Sequence, residues 1–185
     1  MAEATSMRII AGDYRGRKLI SPKGQSVRPT ADRVREAIFN ILGDVTDCRC
    51  LDLFAGTGAV SFEALSRGAA TVTLVDKNLR HARRNADLLS INERVRWKNL
   101  DMSRFLASNT SDTYDIIFVD PPYDLALDIH SQVLEFAEAA LETDGILLFE
   151  HPKKCQLSEL CGTMQRSQIR LYGDTAISFY ERSNS

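Results

Sequence analysis

An acid, two prolines and an aromatic stand together at Asp120-Pro121-Pro122-Tyr123, directly after the apolar run Ile116-Ile117-Phe118-Val119. A buried strand that empties into such a turn ends there, because proline fixes φ and has no N–H for a ladder bond. The turn offers acceptors only. Asp120 adds a carboxylate and Tyr123 a flat face, so a planar amino-bearing base can bond to Asp120 and the Pro121 carbonyl while stacking on Tyr123. As positive charge builds on an attacking amino nitrogen, those acceptors stabilise it without any covalent intermediate. The ordinary reading of the same four residues is a strand-ending turn, and what weighs against it is a second motif.

That motif is Leu51-Asp52-Leu53-Phe54-Ala55-Gly56-Thr57-Gly58, a buried strand running into a glycine turn that opens a helix. Glycines let a ligand approach the backbone. Eighteen residues past Gly58, Asp76 ends the next strand, where an acid in a doubly wound sheet bonds to ribose hydroxyls. A nucleoside-bearing cofactor is implied. A dinucleotide fits poorly, because Ser61 occupies the third glycine position and Asp52 would repel a pyrophosphate. S-adenosylmethionine carries an ammonium and a sulfonium and no phosphate, so Asp52 favours it. Asp101, after the third strand, is expected to accept from the adenine amino group. His81, His130 and His151 lack metal-ligand spacing, and no metal is expected.

These residues need a scaffold that brings strand ends together. From residue 49 onward, short apolar runs alternate with helical segments, the signal for βαβ units around a parallel sheet with helices on both faces. Strands are expected at Cys50–Phe54, Val72–Val75, Val95–Trp97, Ile116–Val119 and Ile146–Phe149. Helices are expected at Ala59–Arg67, after Asn78, and at Asp128–Leu141. The segments Ile169–Tyr172 and Ala176–Tyr180 flank Gly173-Asp174 and predict an antiparallel hairpin on the sheet edge. Ahead of the sheet, Met7–Ile10 and Arg17–Ile20 read as a small basic hairpin. Thr30 reads as the N-cap of a helix whose apolar face is Val34, Ala37, Ile38, Ile41 and Leu42. The expected division is residues 1–43 as a basic extension outside the sheet core and residues 44–185 as the sheet domain.

Composition agrees with one globular domain: 185 residues, 44% apolar and 26% charged. No apolar run is long enough to span a bilayer, and the opening Met1–Ser6 lacks the basic and apolar regions of a secretion signal, so a cytoplasmic protein is expected. Cysteines at 48, 50, 155 and 161 are expected as free thiols. The net charge of −2 is unevenly spread: residues 1–40 carry +4 and the remainder −6. That asymmetry permits nucleic-acid binding. Arg8, Arg15, Arg17 and Lys18 on the hairpin, with Arg28, Arg33 and Arg35 beyond it, are the expected phosphate contacts, and Arg80, Arg83 and Arg84 form a second cluster.

The two motifs together resemble the Rossmann-like, class I S-adenosylmethionine methyltransferases that modify exocyclic amino nitrogens. Within them, Arg8-Ile-Ile-Ala-Gly, Arg15-Gly-Arg-Lys-Leu and the stretch from Arg28-Pro-Thr to Ile41-Leu42 resemble the RsmD family of bacterial small-subunit (16S) ribosomal RNA guanine-N2 methyltransferases. The resemblance runs from Met7 to Glu181. It implies a seven-stranded sheet with an N-terminal hairpin and transfer to guanine N2 in small-subunit ribosomal RNA or its assembling particle, by a monomer. It implies cofactor contacts at Asp52, Phe54, Gly56, Gly58, Asp76, Lys77, Asp101, Met102 and Asp120. Two other readings are open: an adenine-N6 or cytosine-N4 nucleic-acid methyltransferase, and a noncatalytic RNA-binding module that keeps the fold.

Overall fold

The computed structural model describes residues 7–22, 29–108 and 111–183. The chain runs through α1 (Pro29–Leu42), β1 (Arg49–Leu53), α2 (Ala59–Ser66), β2 (Thr71–Val75), α3 (Arg80–Leu89), β3 (Val95–Lys98), α4 (Met102–Ala107), β4 (Tyr114–Val119) and α5 (Ala126–Ala140). It ends in β5 (Leu141–Pro152), β6 (Leu160–Cys161), β7 (Met164–Tyr172) and β8 (Thr175–Arg182). All eight strands form one sheet in the order β3-β2-β1-β4-β5-β8-β7-β6. The first five are parallel, and β8 turns antiparallel against β5.

This is the expected Rossmann-like methyltransferase architecture, with eight strands in place of seven because the two-residue β6 pairs with the start of β7. Strand β5 is also longer than Ile146–Phe149, since Leu141 joins β4 before a register shift between Tyr114 and Ile116. The alternation of side chains along buried strands divides the core in two. Cys50, Phe118, Leu148 and Ile177 face α1, α2 and α3, while Leu53, Val119, Leu147 and Phe149 face α4 and α5.

The chain winds from β1 outward through β2 to β3, then crosses back to place β4 on the other side of β1. The loops that leave β1 and β4 therefore part in opposite directions and open a crevice at the strands' carboxyl ends, where α/β sheets bind ligands.

The N-terminal segment departs from expectation. It is a turn closed by a single bridge between Arg8 and Lys18, not a two-strand hairpin. It also does not stand outside the core, because Ile9 and Leu19 are buried in the cluster that α1, α2 and α3 share. Buried Glu63 accepts from the N–H groups of Ile10 (2.7 Å) and Ala11 (3.0 Å), and Asn85 brackets Ile20 through both its N–H and its carbonyl. Gly12, with φ of +79°, lies so close to α2 that a Cβ would meet the Ser66 carbonyl oxygen at 1.8 Å. Only glycine fits there.

Candidate active site

A cleft of about 570 Å³ lies between α1 and the carboxyl ends of β1, β4 and β5. Val34, Arg35 and Ile38 of α1 form one wall, and Phe118, Leu148 and Ile177 of the sheet form the other. One end is the glycine turn with Phe54, Gly56, Thr57, Asn78 and His81; the other is Asp120, Tyr123, Glu150 and Thr175. The two sequence motifs thus meet in a single cavity.

At the glycine end, the backbone is held in left-handed conformations at Phe54 (φ 75°), Gly56 (52°) and Gly58 (78°). A non-glycine residue in that region stores strain, and such strain collects at functional sites. A Cβ on Gly58 would strike the Phe62 ring at 2.4 Å, so this glycine lets α2 close on the turn. Asp76 accepts from the N–H of Gly56 (2.9 Å) and of Asn78 (2.8 Å), fixing the turn after β1 to the end of β2. Beneath the turn, Asp52 is 2% exposed and accepts from the Ser61 hydroxyl at 2.6 Å. Desolvation pushes its carboxyl up to about 7 against the Ser61 bond, with the charges of Asp120 and Asp76 adding to the rise.

At the other end, Asp120 follows β4 and opens to the cleft. The Pro122 carbonyl accepts from Leu125 N–H at 2.9 Å, so the acceptors expected of the turn narrow to Asp120 and Pro121. The Tyr123 hydroxyl is hydrogen-bonded to the Thr175 hydroxyl on β8, which fixes the ring as a wall while leaving it 48% exposed. Desolvation raises the Asp120 carboxyl.

Not every expected site residue joins the cleft. Asp101 caps α4 by accepting from Ser103 N–H (2.8 Å) and pairs with Lys77 (2.7 Å), which together hold its carboxyl below the usual carboxylate range. Both of its oxygens are engaged. Met102 is buried against α5's core face. Arg35, expected as a phosphate contact, is instead buried: it donates to the Arg8 carbonyl (2.6 Å) and Asp32 (3.0 Å) and pairs with Glu63. Its sequence spacing placed it beside the apolar stripe without revealing the acid it meets 28 residues later. Arg8, Arg15, Arg17, Lys18 and Arg33 are exposed as expected, and Arg28 lies outside the described residues. Arg17 donates to the Leu88 carbonyl at 2.8 Å, tying the basic turn to α3, where Arg80, Arg83 and Arg84 are exposed.

Two cleft residues had no sequence signal. His81 lines the glycine end with a buried Nδ1 that has no hydrogen-bond partner among the described residues. Glu150, at the end of an apolar run, faces the cleft beside Asp120. The other two histidines are structural: His130 bonds to the Tyr180 hydroxyl (2.9 Å) and His151 to the Ser178 hydroxyl (2.9 Å). Among the described residues no cluster of three or more His, Cys, Asp or Glu could hold a metal, and the four cysteines are free thiols. No described helix is long and apolar enough to cross a membrane.

Comparison with known proteins points one way. The family described as "Conserved hypothetical protein 95" matches residues 7–181. Ribosomal RNA small subunit methyltransferase D of Escherichia coli (strain K12) is 36% identical over 187 residues, covering 95% of this chain and 90% of that one. YlbH of Bacillus subtilis (strain 168) is 34% identical over 182 residues, covering 95% and 99%. The solved structure of the Thermus hypothetical protein TTHA0928 superposes with a TM-score of 0.79 at 30% identity, covering 94% of this chain and 98% of that one.

Proposed function

The chain belongs to the Conserved hypothetical protein 95 family, that of ribosomal RNA small subunit methyltransferase D, and from that premise we propose that it methylates the N2 amino group of a guanine in small-subunit ribosomal RNA. The carrying observation is the single cleft that joins a strained glycine turn bonded to Asp76 with an open Asp120 and an anchored Tyr123.

The cleft's donor set fits S-adenosylmethionine. Asp52 is a desolvated acid beneath the turn, and a cationic ligand offsets the cost of ionising it there. A pyrophosphate would add to that cost. Asp52, Phe54, Gly56, Gly58 and Asp76 would hold the cofactor, with Lys77 beyond them; Asp101, capped and ion-paired, is the least suited of the expected contacts. When bound, the cofactor supplies an electrophilic methyl group.

The protein's part is to present the nucleophile. Tyr123 stacks the base, while Asp120 and the Pro121 carbonyl accept from the amino group. Those acceptors favour the tetrahedral nitrogen whose lone pair is free to attack, and they gain strength as that nitrogen becomes positive. Arg15, Arg17, Lys18 and Arg33, with the α3 arginines, supply phosphate contacts that position RNA without reading its sequence. The assigned setting is a cytoplasmic monomer acting on ribosomal RNA or its assembling particle.

Replacing Asp120→Ala tests the assignment. Turnover is expected to fall by about a hundredfold or more, while S-adenosylmethionine affinity, read by titration calorimetry, changes little. Comparable turnover at saturating substrates would return Asp120 to the role of a strand-ending turn.

A further inference from the structure

The methyl-transfer reading uses Asp120 and leaves the second acid of the cleft, Glu150, without a task. The parallel register pairs Phe118 with Leu148 and Val119 with Phe149, so Asp120, just past the end of β4, comes level with Glu150 in β5. Side-chain alternation puts both on the face of Phe118 and Leu148, and both line the cleft. Glu150 is flanked by apolar neighbours, with Leu148 two residues back on its own strand and Ile177 opposite it on β8. Among the described residues it makes no ion pair; Arg35, which lines the same cleft, is committed to Asp32 and Glu63. Thr175, which anchors Tyr123, completes this end. A base stacked on Tyr123 therefore meets two carboxyls at once.

Nucleobases differ in what stands beside the amino group. In guanine the neighbouring ring nitrogen is a donor, N1–H, so N1–H and N2–H₂ form a continuous row of donors. In adenine and cytosine that ring nitrogen is an acceptor, whose lone pair would confront a carboxylate. Two adjacent carboxyls suit the first pattern and oppose the second. Resting on the guanine-N2 reading above, we propose that Glu150 is the specificity-determining residue of this cleft: its carboxylate accepts from guanine N1–H, leaving the two N2–H groups to Asp120 and the Pro121 carbonyl. Desolvation, and then the charge of Asp120, hold the Glu150 carboxyl above its ordinary range, so it meets guanine as the carboxylate by losing that proton, and the N1–H donor offsets the cost. A desolvated acid without an ion-pair partner among the described residues is costly to keep, and a ligand donor that reaches it offsets that cost.

The test uses small-subunit particles reconstituted with RNA that carries either guanine or 2-aminopurine at the modified position. The analogue keeps the 2-amino group but has an unprotonated N1 and no 6-oxo group; Glu150→Gln alters only the reading of N1, so the change in preference between wild type and variant isolates the donor that Glu150 reads. Wild-type protein is expected to favour guanine in kcat/KM by at least about tenfold, and Glu150→Gln, whose amide can donate to N1, is expected to narrow or invert that preference. S-adenosylmethionine affinity should stay near wild type and the melting temperature should not fall, because the amide replaces a desolvated carboxyl; a structural role alone would not alter the ratio of two analogues. Equal use of both bases by the wild type, or an unchanged ratio in Glu150→Gln, overturns the role of Glu150 while leaving guanine methylation intact. A methyl group on another nucleobase overturns the guanine-N2 reading itself, and the proposal with it. Where Glu150→Gln fails to fold, the same ratio in Glu150→Ala decides the matter, an unchanged preference for guanine overturning the role of Glu150.

Discussion

Asp52 shows at the scale of one residue how a site is prepared at the expense of stability. Its carboxyl has an ordinary value of 3.8 and is pushed up to about 7 in the empty protein. The folded state therefore holds a proton that the unfolded chain releases, and stability is lost as pH rises between those values. Asp52→Asn removes this cost and keeps an acceptor for Ser61. The variant is expected to melt higher than wild type near neutral pH and level with it at about pH 4. A cationic cofactor stabilises the ionised form, so wild-type affinity should weaken as pH falls below about 7, and the variant's weaker affinity should vary less with pH. Calorimetric titration and melting curves across that range check both signs. Asp76 and Asp120 were legible in the sequence because each follows an apolar run, and Asp52 because a glycine turn comes soon after it, so their places near strand ends need no tertiary information. Glu150 follows a similar run, but nothing in its own segment shows that β4 lies beside it. Arg35 and Glu63 were illegible for the same reason: each is explained only by the other, across a loop and a strand.

Among the elements, the N-terminal turn and α2 are the pair whose relation the sequence concealed. The turn residues around Asp13-Tyr14-Arg15-Gly16 were plain, yet Ile9 and Leu19 are isolated apolar residues in a basic segment and gave no sign of a shared buried face. Helix α2 gave no amphipathic signal either, because even its Ser61, Glu63 and Ser66 are buried. Glu63 is fully enclosed and serves Arg35, Arg67 and two backbone N–H groups of the turn. Removing one partner of a buried charge costs about 3–5 kcal/mol, so the basic turn is secured to the core and not merely tethered to it. The contact at Gly12 provides a sharper test. Gly12→Ala adds a methyl group against the Ser66 backbone and strains a left-handed residue. It is expected to destabilise by more than about 2 kcal/mol, lowering the melting temperature by about 4 °C or more. Gly16, at φ of +80° with no neighbour within 4 Å, supplies the control: Gly16→Ala carries only the conformational cost. Equal melting of the two variants would show that the turn does not press on α2.

For the whole molecule, the parallel half was legible because βαβ units repeat a strong pattern, and the reversal of strand order at β1 then fixes where the cleft must open. The antiparallel end was legible as a hairpin, but its extent was not: β7 exposes alternate residues and β6 has only two, Leu160 and Cys161, too few for any period to register. Arg17 joins the basic turn, through the Leu88 carbonyl, to the helix that carries Arg80, Arg83 and Arg84, the residues of the proposed RNA contact. All these features converge on one claim, that the cleft delivers a methyl group to the exocyclic amine of a guanine. The most direct measurement is mass spectrometry of nucleosides from small-subunit ribosomal RNA prepared from cells lacking this gene and incubated, as assembled particles, with S-adenosylmethionine and the purified protein. The account predicts that N2-methylguanosine appears with the wild-type protein and not with Asp120→Ala; a methyl group on any other nucleoside, or none on RNA at all, would contradict it.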